Sequence, residues 1–162
     1  MAKEQPLSHV DSAGKLRMVD VTGKRSTLRR AQARCIVRTA VDISTLGSNA
    51  NGVYVIHASR LVGIQAAKQT ANIIPLCHPL NINDIDVEID VKAGCVEITA
   101  TVTAQHRTGV EMEALTACAF AGLSVISALV DVDPMAQLDD LVLLRKSGGK
   151  SGEWGQLVEV SR

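Results

Sequence analysis

The alternation of apolar and polar residues predicts a β-hairpin in the middle of the chain. Residues 84–92 and residues 95–103 each alternate, and Ala93 and Gly94 between them suit a tight turn. A period of two places the apolar side chains of a strand on one face. In residues 84–92 the opposite face is mostly acidic, so we expect a hairpin with one face buried and the other in water.

Two longer apolar segments predict helices on either side of this hairpin. Residues 53–74 form the first and stop before Pro75, and residues 109–131 form the second and stop before Pro134. A short extended segment and two further strands are expected at residues 18–22, 29–39 and 138–146. The order strand, helix, strand, strand, helix, strand predicts an α+β fold of the ferredoxin-like βαββαβ type, an antiparallel sheet with both helices on one face.

Length and terminal composition predict one domain preceded by an arm. The chain has 162 residues, which suits a single core. The polar residues 1–17 are expected to form a flexible arm, and residues 18–162 a single domain. The N-terminal residues carry no signal-like apolar stretch, and the longest uncharged run is too rich in small residues for a membrane span. We therefore expect a cytoplasmic protein that does not contact membranes.

Composition narrows the class of ligand. The 17 Lys and Arg residues balance the 17 Asp and Glu residues, and there are only three aromatic residues. A chain with no net positive charge and few aromatic side chains to stack on bases is not expected to bind nucleic acid. Any anionic ligand must therefore be held by a local cluster of cations. The four cysteines form no C-x-x-C motif, and no histidine or cysteine pair has a metal-binding spacing. We expect buried free thiols, no metal site and no cofactor.

The second helix predicts assembly. It carries no charge from residue 114 to residue 130, and a helix that is apolar on every side is buried on every side. One sheet covers only one side of a helix. The chain is therefore expected to be an obligate oligomer, with a second subunit packed against the small residues Ala117, Ala119, Ala121 and Gly122.

Three segments carry candidate chemistry. In the first, IPLCHPL, two prolines fix the backbone around Cys77 and His78. A histidine after a helix can bind an anion or transfer protons near neutral pH, and it can also satisfy the carbonyl groups at the helix end. Both interpretations remain open from the sequence.

The second segment, HRTGVEMEALTA, begins the second helix. Thr108 and Glu111 have the T-x-x-E spacing of a capping box, which gives Glu111 a structural role. Glu113 has no capping role, which makes it the stronger candidate for chemistry. The alternative is that Glu113 only stabilises the helix N-terminus, where acidic side chains are favourable. The two acids point about 200° apart on a helix, so they are not expected to act as a pair within one subunit.

The third segment is KSGGKSG, residues 146–152. Its glycines allow successive N–H groups to surround an anion, and Lys146 and Lys150 add charge. A solvated turn is the alternative. The spacing is not that of a P-loop.

These segments resemble blocks of molybdenum cofactor biosynthesis protein C, the cyclic pyranopterin monophosphate synthase family. The blocks are LSHVDSAGKLRMVDVTGK, GIQAAKQTANIIPLCHPL, RTGVEMEALTA and KSGGKSGEW, in this order. The resemblance implies a ferredoxin-like fold, a hexamer built as a trimer of dimers, and active sites at subunit interfaces. It also implies a GTP-derived substrate, 3′,8-cyclo-7,8-dihydro-GTP, converted into cyclic pyranopterin monophosphate with release of pyrophosphate.

The resemblance also implies roles for individual residues. His78, Glu113 and Lys146 are the expected catalytic residues. Arg60 matches a family position whose role, structural or phosphate-binding, stays open. The substrate-binding set comprises Leu76, Cys77, His78, Met112, Glu113, Lys68 and Lys150.

Three family positions differ in this chain. The family has a lysine in the motif that opens the first helix, and an Asp and a Lys on the second helix. The corresponding residues here are Gly52, Ser127 and Val130. Gln69 also stands where the family usually has Arg. Two hypotheses follow: an active lyase that uses a reorganised set of residues, or a non-catalytic member that binds ligand or regulates.

Overall fold

Alternating apolar residues build a five-stranded antiparallel sheet. The computed structural model describes residues 8–43, 50–149 and 152–155. The strands run in the order β2-β3-β1-β4-β5 across the sheet, and every neighbouring pair is antiparallel. Their bounds are β1 Thr27–Arg38, β2 Asp84–Lys92, β3 Cys95–His106, β4 Gln137–Ser147 and β5 Trp154–Gly155. The predicted hairpin is confirmed, and β5 lies in the segment that follows the basic loop.

The first helix begins three residues earlier than predicted and is interrupted before its predicted end. Their bounds are α1 Ala50–Lys68, α2 Thr70–Ile73 and α3 Glu111–Leu129. The expected single helix over residues 53–74 is interrupted at Gln69, whose N–H bonds to the carbonyl of Ala66 three residues earlier. The Thr70 hydroxyl donates to the carbonyl of Ala67 at 2.9 Å, so this side chain competes for a helix carbonyl at the break. Residues 18–22, expected to be extended, belong to no strand.

One face of the sheet forms the core. On β1 the buried residues alternate with half-buried ones, and α3 packs across β1, β3 and β4 while α1 packs on α3 and β2. Cys35 and Cys118 are buried free thiols, whereas Cys77 and Cys95 are only half-buried. The α+β class with helices on one face of an antiparallel sheet is thus confirmed, and the ferredoxin-like detail stays a prediction.

The small residues of α3 face inward within the chain. A Cβ on Gly122 would lie 2.4 Å from Leu138, and a Cβ on Gly63 of α1 would lie 3.0 Å from the carbonyl oxygen of Ala117. Ala117 and Ala121 are fully buried. The expectation that Ala117, Ala121 and Gly122 face another subunit is therefore wrong, because α1, β1 and β4 of the same chain already cover them. Ala119 is half-buried, and its expected contact with another subunit stays a prediction. Although α3 is long and apolar enough to cross a membrane, half of its most apolar stretch is buried in this core.

Candidate active site

A cavity of about 900 Å³ lies where α3 begins. Its walls come from the N-terminal segment, the start of β1, the turn after α2, the β3–α3 connection and the end of β4. It is lined by Ser8, His9, Val19, Val21, Lys24, Arg29, Leu76, Cys77, His78, Arg107, Thr108, Gly109, Glu111, Met112, Glu113 and Lys146.

Most of the residues expected from the sequence meet in this cavity. Leu76, Cys77, His78, Met112, Glu113 and Lys146 all line it. Lys150 lies outside the described residues. Lys68 lies elsewhere on this chain, in a shallow groove between the end of α1 and the start of β2.

Part of the predicted arm contributes to the cavity wall. The Asp11 carboxylate accepts hydrogen bonds of 2.9 Å from the N–H groups of Ala13 and Lys15, which closes a turn. A single bridge between Val10 and Leu16 closes the same turn. This segment carries Ser8 and His9, which line the cavity.

Four cations surround the cavity. They are Lys24, Arg29, Arg107 and Lys146. The Arg29 guanidinium donates to the carbonyls of His106 and Arg107 at 3.3 and 3.2 Å, which fixes it against the end of β3. Such a cluster can hold a polyanion through charge-assisted hydrogen bonds.

The glycines of the basic loop pack against Arg29. Gly148 and Gly149 have φ values of +90° and +80°, a region that favours glycine. A Cβ on Gly149 would lie within 1.6 Å of the Arg29 guanidinium, and one on Gly148 within 2.2 Å of the carbonyl oxygen of Leu28. The described glycines therefore allow the loop to approach the strand that carries Arg29.

Glu113 is a buried acid. Its residue is only 4% exposed. Burial, together with the negative charge of Glu111, raises the pKa of its carboxyl to about 7. A carboxyl with this pKa can gain or lose a proton near neutral pH, which general acid–base catalysis requires.

Glu111 does not form the predicted capping box. The N-cap of α3 is Val110, and no side chain caps the helix. The Glu111 carboxylate instead accepts a hydrogen bond from the Lys146 ammonium at 2.8 Å. It lies where a Cβ on Gly109 would be, so the glycine makes room for it. Both acids consequently line one cavity, although they point apart on the helix.

The turn after α2 presents a thiol and an imidazole. Burial raises the pKa of the Cys77 thiol, and the nearby charge of Glu113 adds to this, so the thiol stays protonated. His78 lines the cavity beside Cys77, where an imidazole can contact an anion or transfer a proton. Burial and the neighbouring cationic groups lower the pKa of His106, whose Nδ1 lies 3.3 Å from the Thr108 hydroxyl.

The remaining sequence candidates lie away from the cavity. The Arg60 guanidinium donates to the carbonyl of Val87 at 2.8 Å and so ties α1 to β2. Ser127 is about 24 Å along α3 from Glu111. It lines an apolar groove between α1 and α3, and Val130 is half exposed just beyond the helix. Within the described ranges no group of three His, Cys, Asp or Glu side chains could hold a metal ion.

Known proteins resemble this chain over most of its length. The family model described as the MoaC family matches residues 18–149. The chain belongs to the MoaC family. Among curated proteins it is 44% identical over 150 residues to a cyclic pyranopterin monophosphate synthase of Streptomyces coelicolor, covering 91% of this chain and 88% of that protein. It is also 44% identical over 154 residues to the Chloroflexus aurantiacus protein of that name, covering 91% and 93%.

The MoaC match includes residues that the sequence reasoning missed. Lys24, Arg29 and Arg107 line the cavity and lie within residues 18–149. The sequence pattern did indicate a position for Arg29. It lies two and four residues before the buried Ala31 and Ala33 in β1, so its side chain is on the same, helix-covered face. Arg107 begins the block RTGVEMEALTA. His9 and Lys24 lie in the block LSHVDSAGKLRMVDVTGK, so the resemblance marked the segment but gave these two residues no role.

Proposed function

We propose that this chain is a cyclic pyranopterin monophosphate synthase that acts in molybdenum cofactor biosynthesis in the cytoplasm. Its substrate is 3′,8-cyclo-7,8-dihydro-GTP, and its products are cyclic pyranopterin monophosphate and pyrophosphate. The observation that carries the proposal is the cavity at the start of α3, where four cations surround a buried acid with a pKa near 7.

The cations serve the triphosphate. Lys24, Arg29, Arg107 and Lys146 bind its oxygens and stabilise the charge that develops as the cyclic phosphate closes and pyrophosphate leaves. Glu111 orients Lys146 through their 2.8 Å contact. A preorganised cluster of this kind spares the reaction the cost of reorganising solvent.

The buried groups serve proton transfer. Conversion of the imidazole ring into the pterin ring requires protons to be moved between nitrogen and oxygen atoms. Glu113 donates and accepts these protons, since both of its protonation states are populated near pH 7. His78 is the second proton carrier, and Leu76, Cys77 and Met112 shape the wall around the base.

The proposed enzyme works as a homo-oligomer, a hexamer built as a trimer of dimers. The outer face of α1 and α3 exposes apolar side chains, among them Tyr54 at 74%, Leu61 at 66% and Leu123 at 51%. Tyr54 and Leu123 line one groove between α1 and α3, and an exposed apolar surface of this kind is typical of an interface. Another copy of the chain would cover it and bring its own α1 and α3 close to the cavity, to which Lys68 and Lys150 of a neighbouring copy could then contribute.

A binding or regulatory role is the second candidate. It is favoured by Gly52 near the start of α1 and by Ser127 and Val130 at the end of α3. These residues replace the two lysines and the aspartate of the family pattern. Such a chain would bind the triphosphate in the same cavity and release no product.

Turnover separates the two candidates. Purified protein is incubated with the cyclic triphosphate, and pyrophosphate and the pterin product are both measured. The synthase proposal predicts both products, whereas binding without either product at high protein concentration would support the regulatory role. In that case Ser127→Asp combined with Val130→Lys is expected to raise turnover, because in the proposed oligomer the α3 of a neighbouring copy would bring these two positions to the cavity. Both positions are exposed in the single chain and can accept charge.

A further inference from the structure

A second pocket lies at the edge of the sheet, where the two-residue strand β5 pairs with the end of β4. Its volume is about 370 Å³. Lys146 of β4 lines both this edge pocket and the cavity at the start of α3, so the end of β4 forms a wall that the two share. The other side chains of the edge pocket include two arginines, a serine and the tryptophan of β5, namely Arg30, Arg145, Ser147 and Trp154.

The strand register brings the two arginines together. Arg30 pairs with Ser147, and Gln32 pairs with Arg145. Arg30 and Gln32 alternate with the buried residues of β1, so they and their partners lie on the face of the sheet that the helices leave uncovered. Side chains at diagonal positions of neighbouring strands lie about 7–8 Å apart. Both guanidinium groups can therefore reach one anion, with the Ser147 hydroxyl beside them.

The two arginines have unused hydrogen-bond donors. Among the described residues neither Arg30 nor Arg145 forms an ion pair or a side-chain hydrogen bond. Glu153 also lines the edge pocket but pairs with neither of them. Arg38, at the other end of β1, forms ion pairs with two acids of β4. Two like charges this close repel each other, and an anion between them removes the repulsion.

Strand β5 shapes the edge pocket. Gly155 pairs with Arg145, and a Cβ on Gly155 would lie 3.1 Å from the Cβ of Arg145. The glycine therefore leaves the space beside Arg145 open to a ligand. Trp154 is 46% exposed and offers a flat apolar surface next to the cations.

We propose that the edge pocket binds a small molecule that carries a phosphate group. Arg30 and Arg145 donate charge-assisted hydrogen bonds to the phosphoryl oxygens, and the Ser147 hydroxyl donates a third. Any organic part of the ligand packs against Trp154. The volume of the edge pocket suits a ligand of this size. This site is separate from the cavity at the start of α3, and its occupancy does not depend on turnover.

Two sources of the phosphate group fit this chemistry, inorganic pyrophosphate and a purine mononucleotide. Trp154 is the only tryptophan of the chain, so its fluorescence reports on the edge pocket in the unmodified protein. Titration with pyrophosphate or with guanosine monophosphate should change this fluorescence saturably. Guanosine, which lacks the phosphate, should bind roughly tenfold more weakly than its monophosphate. Tighter binding of the monophosphate than of pyrophosphate identifies a nucleotide as the ligand, and the reverse order identifies the inorganic anion.

Substitutions assign the fluorescence change to the two arginines. Arg30→Gln combined with Arg145→Gln should weaken binding of both phosphate compounds about 100-fold, roughly tenfold for each charged contact. Arg145→Lys keeps the charge but loses the two-pronged guanidinium, so its affinity should be intermediate. Arg25→Gln removes an equal charge from an exposed loop and should keep the wild-type affinity. Arg107→Gln, in the cavity at the start of α3, should also leave the titration unchanged.

Three results would overturn the proposal. They are the absence of a saturable fluorescence change with either phosphate compound at millimolar concentration, wild-type affinity in the double variant, or loss of the change in Arg107→Gln. Circular dichroism establishes that each variant is folded, and Arg145→Gln alone replaces the double variant if that one is not. Because screening weakens contacts between charges, the wild-type affinity should also fall as salt is added.

Discussion

Glu113 gives the protein a pH dependence of stability that one substitution should remove. The pKa of a free glutamate is near 4.5, and in the folded chain burial raises that of Glu113 to about 7. Between these values the folded state holds a proton that the unfolded state has lost, so stability is highest at acid pH and falls as pH rises. At roughly 1.4 kcal/mol per pH unit, ionisation of Glu113 lowers the free energy of unfolding above pH 7 by on the order of 3 kcal/mol.

Glu113→Gln keeps the shape of the side chain and removes its charge. The variant should match wild type near pH 4.5 and become more stable than wild type as pH rises to 8, by up to about 3 kcal/mol. Urea unfolding followed by circular dichroism across this range measures the difference. Glu153→Gln, at an exposed position, serves as the control and should leave the pH dependence unchanged. A constant difference between E113Q and wild type across the range would refute the burial argument.

Two further predictions concern the cations. Lys146→Met should weaken binding of the cyclic triphosphate about 10- to 100-fold, since a charged hydrogen bond contributes roughly 1.5–3 kcal/mol, and equal affinities in calorimetry would remove Lys146 from the binding site. Gly149→Ala should displace the Arg29 guanidinium and weaken binding, whereas Gly152→Ala, with a similar positive φ and no neighbour within 4 Å, should only destabilise the fold slightly. If calorimetry gives both alanine variants the same affinity, Arg29 does not depend on the loop.

The periodicity of apolar residues predicted those strands that have one buried face. The strict alternation of residues 84–92 and 95–103 matches β2 and β3, because one face of each is buried under the helices. The interruption of the first helix at Gln69 has no such pattern, since it depends on local hydrogen bonds. The uncharged surface of α3 was explained by another subunit, but α1 of the same chain provides much of that cover.

The site was predictable where its residues are adjacent in sequence and not where they meet only in space. The blocks around His78 and Glu113 line the cavity, and each is recognisable from a few consecutive residues. The contact between Glu111 and Lys146 joins residues 35 positions apart and replaces a local capping box that the spacing favoured. Arg29 reaches the cavity because β1 lies beside β3, a pairing that no local pattern contains.

The most direct test of the account is a single-turnover measurement with protein in excess over the cyclic triphosphate. Wild-type protein should release pyrophosphate and the pterin product in equal amounts, and E113Q should do so about 10²-fold or more slowly, as expected for loss of a general acid–base group. Conversion by E113Q at the wild-type rate, or no product from wild type, would contradict the assignment of this cavity as the active site of a synthase.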